Sequence, residues 1–160
     1  MDIPDILIGT EIFRNLDAEE ISLLVPCCEA VMVEPGDVVM KEGEGSDYLY
    51  VIATGGLDVV LPEESANYDR LSEVQLNTLE EGDCFGEYSL LDGSAVSANV
   101  VARIRSRLLR FRGTEVVDIL DNNDRLGRKL YKNLLHILVG RLRQKDLELD
   151  LVFEGKGSTP

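Results

Sequence analysis

The sequence predicts a mainly β domain with flanking helices, its strands closed into a sandwich, barrel or roll. Three observations carry this. Between positions 29 and 112, short apolar runs rich in β-branched residues recur at 31–33, 38–40, 48–52, 57–61, 74–79, 96–102 and 108–111, separated by turn residues. Glycines at 36, 43, 45, 55, 56, 82 and 93 fall between those runs, so a parallel sheet with helical crossovers does not fit. The pattern apolar-Glu-x-Gly-Asp occurs twice, as Val33-Glu34-Pro35-Gly36-Asp37 and Leu79-Glu80-Glu81-Gly82-Asp83, which favours a two-layered roll.

Each element follows in chain order. Ile6, Leu7, Ile12, Phe13 and Leu16 have a loose helical spacing, and Asp17 with Glu20 three residues on forms a capping signal. A short helix carrying Ile21 and Leu24 is predicted to stop at Pro26, whose ring blocks the hydrogen-bond ladder. This gives an N-terminal helical segment over 1–28 and the β region over 29–112. Within it, 62–72 is polar and predicts a long exposed hairpin loop. After Gly113, Thr114 can cap a short helix through Leu120, and Asn122 or Asn123 a longer one, so helices are predicted over 113–153. Leu126, Leu130, Leu134, Leu138 and Leu142 recur every four residues, while Leu135, Leu142 and Leu149 recur every seven. One helix face can therefore pack on the β region and another on a protein partner or a second copy. A flexible tail is expected over 154–160.

Composition narrows the function. With 160 residues, 44% of them apolar, the chain suits a single globular domain, and an aromatic share of 6% without tryptophan leaves the core to Val, Leu and Ile. The net charge of −14 disfavours nucleic acid and anionic lipid as partners. The charge is uneven: residues 1–100 hold 3 basic and 22 acidic side chains, residues 101–160 hold 13 and 8. The basic excess from Arg103 through Lys145 reads as solvated strand edges and one solvated helix face. Cys27, Cys28 and Cys84 match neither a disulfide framework nor a zinc spacing, and the lone His136 offers no catalytic or metal constellation, so neither a catalytic residue nor a metal site is expected. No basic leader or long apolar run is visible, and a soluble cytoplasmic protein with reduced thiols is expected.

Two stretches carry a resemblance. Residues 41–52, KEGEGSDYLYVI, and 79–87, LEEGDCFGE, resemble the two most recognisable segments of the cyclic nucleotide-binding domain family, in the right order and separation. The resemblance spans roughly residues 10–145. It implies an antiparallel β-roll of the double-stranded β-helix type with about eight strands, a phosphate-binding cassette over 85–100 with a short internal helix, and C-terminal helices that lid or dimerise. By the same resemblance the ligand-binding set is Phe85, Gly86, Glu87, Tyr88, Ser89, Val96, Ser97, Ala98 and Asn99, with Glu87 accepting from a ribose hydroxyl. Read from the residues alone, a turn enters a helix at Gly86, where an anion can approach backbone N–H groups, and Glu87 is equally an acid favoured by the helix dipole.

The central departure from the pattern lies at position 96. Nine residues after its glutamate the family carries an arginine that pairs the cyclic phosphate, and here Val96 stands there. Ser97 is kept, and Asn99 replaces a hydroxyl residue. Arg103, Arg105 and Arg107 alternate, which suits an exposed strand face. The sequence thus predicts a non-enzymatic regulatory domain that needs no cofactor. It binds cAMP, cGMP or another small anionic ligand weakly or not at all and signals through its C-terminal helix. The alternative is an orphan protein-interaction module of the same fold.

Overall fold

Turn chemistry and strand alternation set the architecture. The structure, a computed structural model, describes residues 2–65 and 69–157, with side chains described as far as Glu148. Its strands are β1 (Cys28–Val33), β2 (Val38–Met40), β3 (Tyr48–Thr54), β4 (Gly56–Leu61), β5 (Val74–Glu80), β6 (Cys84–Phe85), β7 (Asn99–Ala102) and β8 (Ser106–Arg112). They form two four-stranded antiparallel sheets, ordered β1-β8-β3-β6 and β2-β7-β4-β5, the predicted β-roll.

The repeated pattern is a repeated turn. In each copy the Asp carboxylate accepts from the Glu amide (Glu34 to Asp37 and Glu80 to Asp83, both 2.8 Å), and Gly36 and Gly82 both have φ of +89°. Each turn docks on a strand through the same pair of bonds. Gly36 N–H donates to Ala102 and Ala102 N–H to Asp37, while Gly82 N–H donates to Ile52 and Ile52 N–H to Asp83. One copy therefore seats on each sheet.

β3 is buried on both faces because two cores meet across it. Leu49, Val51 and Ala53 pack with Leu109, Phe111 and the helices, whereas Tyr50 and Ile52 pack with Leu57, Phe85, Val100 and Leu108 inside the roll. Several elements differ from the sequence reading, β8 for example starting at Ser106 and β3 running to Thr54. β6 is too short to display a period. β7 starts at Asn99 rather than 96, because the Val96 backbone bonds to the preceding turn instead (Gly43 N–H to Val96 O and Val96 N–H to Glu44 O, both 2.8 Å). β1 starts at Cys28, so the β region begins one position before 29.

The N-terminal helices are α1 (Ile3–Ile8) and α2 (Ala18–Leu24), the latter with the predicted capping box. Asp17 Oδ1 accepts from Glu20 N–H (2.8 Å) and Glu20 Oε1 from Asp17 N–H (3.1 Å), and the first of these bonds holds the Asp17 carboxyl below its ordinary pKa. A 3-10 turn at Val25–Cys27 takes in Pro26 and ends the helix.

The chain closes with α3 (Gly113–Asp121) and α4 (Asp124–Gly157). Thr114 is not the cap of α3: the helix starts at Gly113 after Arg112. Asn122 and Asn123 donate their side-chain amides back to the Asp118 and Ile119 carbonyls, both at 2.8 Å, closing α3, while Asn123 stands directly before α4 and its carbonyl accepts from the Gly127 N–H (2.8 Å). The helical backbone continues past 153 to Gly157, where the sequence suggests a tail from 154; residues 158–160, residues 66–68 of the expected hairpin loop and the Leu149 side chain lie outside what the structure describes.

The two halves of α4 are held differently. Leu126, Leu130, Leu134 and Ile137 are buried against the roll, Asn133 donates to the Ile12 (2.9 Å) and Arg14 (2.7 Å) carbonyls, and Lys129 pairs with Glu20. On the opposite face Leu135 is exposed, and further along so are Val139, Leu142 and Leu147. Gly127 permits the tight α3–α4 corner, since a Cβ there would press on the Leu120 carbonyl. Burial pushes the Cys84 thiol up to about 12 and the Cys28 thiol up to about 11, and the cysteines are free. Among the described residues no helix is long and apolar enough to cross a membrane, and no cluster of three or more potential metal ligands occurs.

Candidate functional site

The site grows from the end of β6. Phe85 stacks on Tyr50 with ring centroids 4.8 Å apart and planes 6° from parallel, which fixes the strand end inside the roll. The next residue must then turn sharply. Gly86 has φ of +78°, and a Cβ there would run into the Tyr48 carbonyl, so only glycine fits on both counts. The chain enters a 3-10 helix at Glu87–Leu90, anchored by buried Leu90 and by the Ser89 hydroxyl donating to the Gly86 carbonyl (2.8 Å).

Phe85, Gly86, Glu87, Tyr88, Val96, Ser97 and Ala98 line one cavity of about 220 Å³, together with Ser46, Leu79, Val100 and other residues of the roll. Val96 contributes an apolar surface and is 9% exposed. Among the described residues, the backbone amides of Ser97 and Ala98 make no backbone hydrogen bond. Two predicted site residues are not in this lining. Ser89 folds its hydroxyl back onto Gly86 and packs its backbone against Gly113, where a Cβ would collide with it. Asn99 is a brace: its Oδ1 accepts from the Glu42 N–H at 2.8 Å, tying β7 to the 41–45 turn. The same Glu42 takes a forked ion pair from Arg70 (2.8 and 3.0 Å), which also donates to the Pro62 carbonyl. The base of the 62–72 loop is thus pinned to the roll. The Arg70 guanidinium holds the Glu42 carboxyl below its ordinary pKa.

Arg103 pairs with Asp58 (3.5 Å) and Glu80 (3.0 Å) and Arg105 with Glu34 (3.2 Å); neither they nor Arg107 line the cavity. The cations that do line it come from α4. Arg141, Gln144, Lys145 and Glu148 all face this space. Arg141 Nη1 donates to Glu87 Oε1 (3.2 Å) and Nη2 to the Cys84 carbonyl, with the Glu87 side chain 15% and the Arg141 side chain 31% exposed. Reading the basic stretch as a solvated helix face missed them. The i, i+4 spacing of 141 with 145 and of 144 with 148 places the four on one side of the helix, and only the packing of α4 shows which side faces the cassette. Chemically the arrangement offers a glutamate acceptor, small residues with free backbone amides, and helix-borne cations around an apolar floor.

The chain matches the cyclic nucleotide-binding domain family over residues 30–123. It belongs to that family. This cyclic nucleotide-binding domain is 32% identical, over 123 residues, to the cAMP-dependent protein kinase regulatory subunit of Dictyostelium discoideum, a match covering 77% of this chain and 36% of that protein. It is 28% identical, over 144 residues, to the cyclic AMP receptor protein of Thermus thermophilus, covering 90% and 62%. It spans about a third of the length of the kinase regulatory subunits it matches. Among solved structures, a cyclic nucleotide-binding domain from Methylobacillus flagellatus superposes with a TM-score of 0.74 at 25% identity, covering 89% of this chain and 77% of that one. The regulatory subunit of a cAMP-independent protein kinase A from Trypanosoma brucei superposes at 0.60 with 26% identity, covering 74% and 44%. That structure is a triple mutant, one change of which introduces an arginine, bound to cAMP in its A site.

Proposed function

We propose that this domain is a non-enzymatic, cytoplasmic regulatory module that senses a cyclic nucleotide weakly, or a related small anionic ligand, and signals through α4 to a protein partner or a second copy. The observation that carries the reading is the contact of Arg141 with Glu87, because the acid positioned to accept a ligand hydroxyl also holds the helix. A ligand that engages Glu87 therefore acts on α4, and a shift follows if it binds the two helix positions with different affinity. The exposed stripe of Leu135, Val139 and Leu142 is the surface such a shift would present. Weak binding follows from Val96, because the 85–100 segment itself supplies no cation, and a desolvated phosphate that loses such a partner loses about 2–5 kcal/mol.

The orphan reading, an interaction module without a nucleotide, is favoured by one observation, that Glu87 already has a cationic partner. Calorimetric titration of the unmodified protein with cAMP and cGMP separates the two. A dissociation constant weaker than about 10 μM, a binding free energy of no more than about 7 kcal/mol, is expected. Submicromolar capture would contradict the role given to Val96, and absence of binding at millimolar nucleotide would favour the orphan module.

A further inference from the structure

The cavity's charge has a source outside the cassette. Among the described residues its lining holds two carboxylates, Glu87 and Glu148, and two cations, Arg141 and Lys145. Both cations stand on α4, in a chain whose first 100 residues hold only 3 basic side chains. Without α4 the cassette would present an anion with Glu87 alone among charged groups, and the two would repel. With α4 in place, Arg141 neutralises Glu87 and is itself held by two fixed acceptors, Glu87 Oε1 and the Cys84 carbonyl. A guanidinium has more N–H donors than these two bonds use, so it can bind an anion without releasing either.

We infer that Arg141, with Lys145 one turn further along α4, is the cation that receives the phosphate of a nucleotide ligand, replacing from the helix the guanidinium that Val96 cannot supply. This rests on the reading of the cavity as a nucleotide site and specifies which residue grips the anion. Charge brought by α4 makes the helix part of the binding site itself. The helix position is then set by the ligand's phosphate as well as by Glu87. The Arg141 contact is partly solvated, which places its effect at the lower end of charged-pair losses.

The test is calorimetric titration of the full chain with cAMP and with AMP, in the unmodified protein and in two variants. Arg141→Gln keeps an amide able to donate to the same acceptors and removes the charge; it is expected to weaken both nucleotides by about tenfold. Arg141→Lys keeps the charge but not the planar fork that holds both acceptors, and is expected to lose clearly less than Arg141→Gln. A role confined to holding α4 would not sort the variants by charge. Unchanged binding in Arg141→Gln, or equal losses in both variants, overturns this inference and leaves the nucleotide site standing. If the unmodified protein binds neither cAMP nor AMP, the inference and the ligand-sensing function fail together.

Discussion

Replacing Val96 with arginine is expected to tighten cAMP binding by about thirty-fold or more. The Arg141 contact is partly solvated, whereas a guanidinium at 96 would stand on the cassette itself; a desolvated charged pair is worth about 2–5 kcal/mol, and the lower end of that range is already thirty-fold. The position suits the change. Val96 lines the cavity beside Ser97 and Ala98, and its backbone is fixed by bonds to Gly43 and Glu44, so the segment does not depend on the valine side chain for its conformation. An arginine stem can cover the apolar surface that valine covers now while the head group reaches the polar part of the cavity. Titration of Val96→Arg with cAMP checks this. A variant that melts like the unmodified protein and binds cAMP no better would mean that the missing guanidinium is not what limits the site.

Replacing Gly86 with alanine is expected to cost about 2–4 kcal/mol of stability and to abolish nucleotide binding. A left-handed conformation alone costs a non-glycine residue about 1–2 kcal/mol. The remainder comes from the Tyr48 carbonyl, a backbone group at the start of β3 that the pairing of β3 with β8 keeps from swinging aside when a Cβ meets it. Gly36→Ala separates the two contributions, because Gly36 has φ of +89° but open space around its Cα. Urea denaturation should place Gly36→Ala near the conformational cost alone and Gly86→Ala well below it. Equal losses in the two variants would show that packing against Tyr48 contributes nothing.

How far the fold could be read before the structure depended on whether a signal was local. The Asp17 capping box, the stop at Pro26, the turns at Gly36 and Gly82 and most strands are short-range features, set by residues within a few positions of each other. β6 was illegible because two residues carry no period, and the start of β7 was misplaced because hydrogen bonds to Gly43 and Glu44, far away in sequence, take the Val96 backbone. The cassette was legible where a conformation demands a residue type, as at Gly86. It was misread where a side chain serves the scaffold: nothing near Asn99 announces that its amide will brace Glu42. Arg141 was hidden for a third reason. A basic helix face looks the same whether it meets water or a cavity, and the deciding contact joins residues 54 positions apart.

Amide hydrogen exchange along α4, measured with and without saturating cAMP, tests most directly whether cassette and helix act as one device. The account predicts that exchange at 138–148, the stretch attached through Arg141, changes by more than about threefold, while 126–137, buried against the roll, stays as it was. A bound protein whose α4 exchanges at the same rate throughout would contradict it, since the ligand would then fill the cavity without the helix registering it.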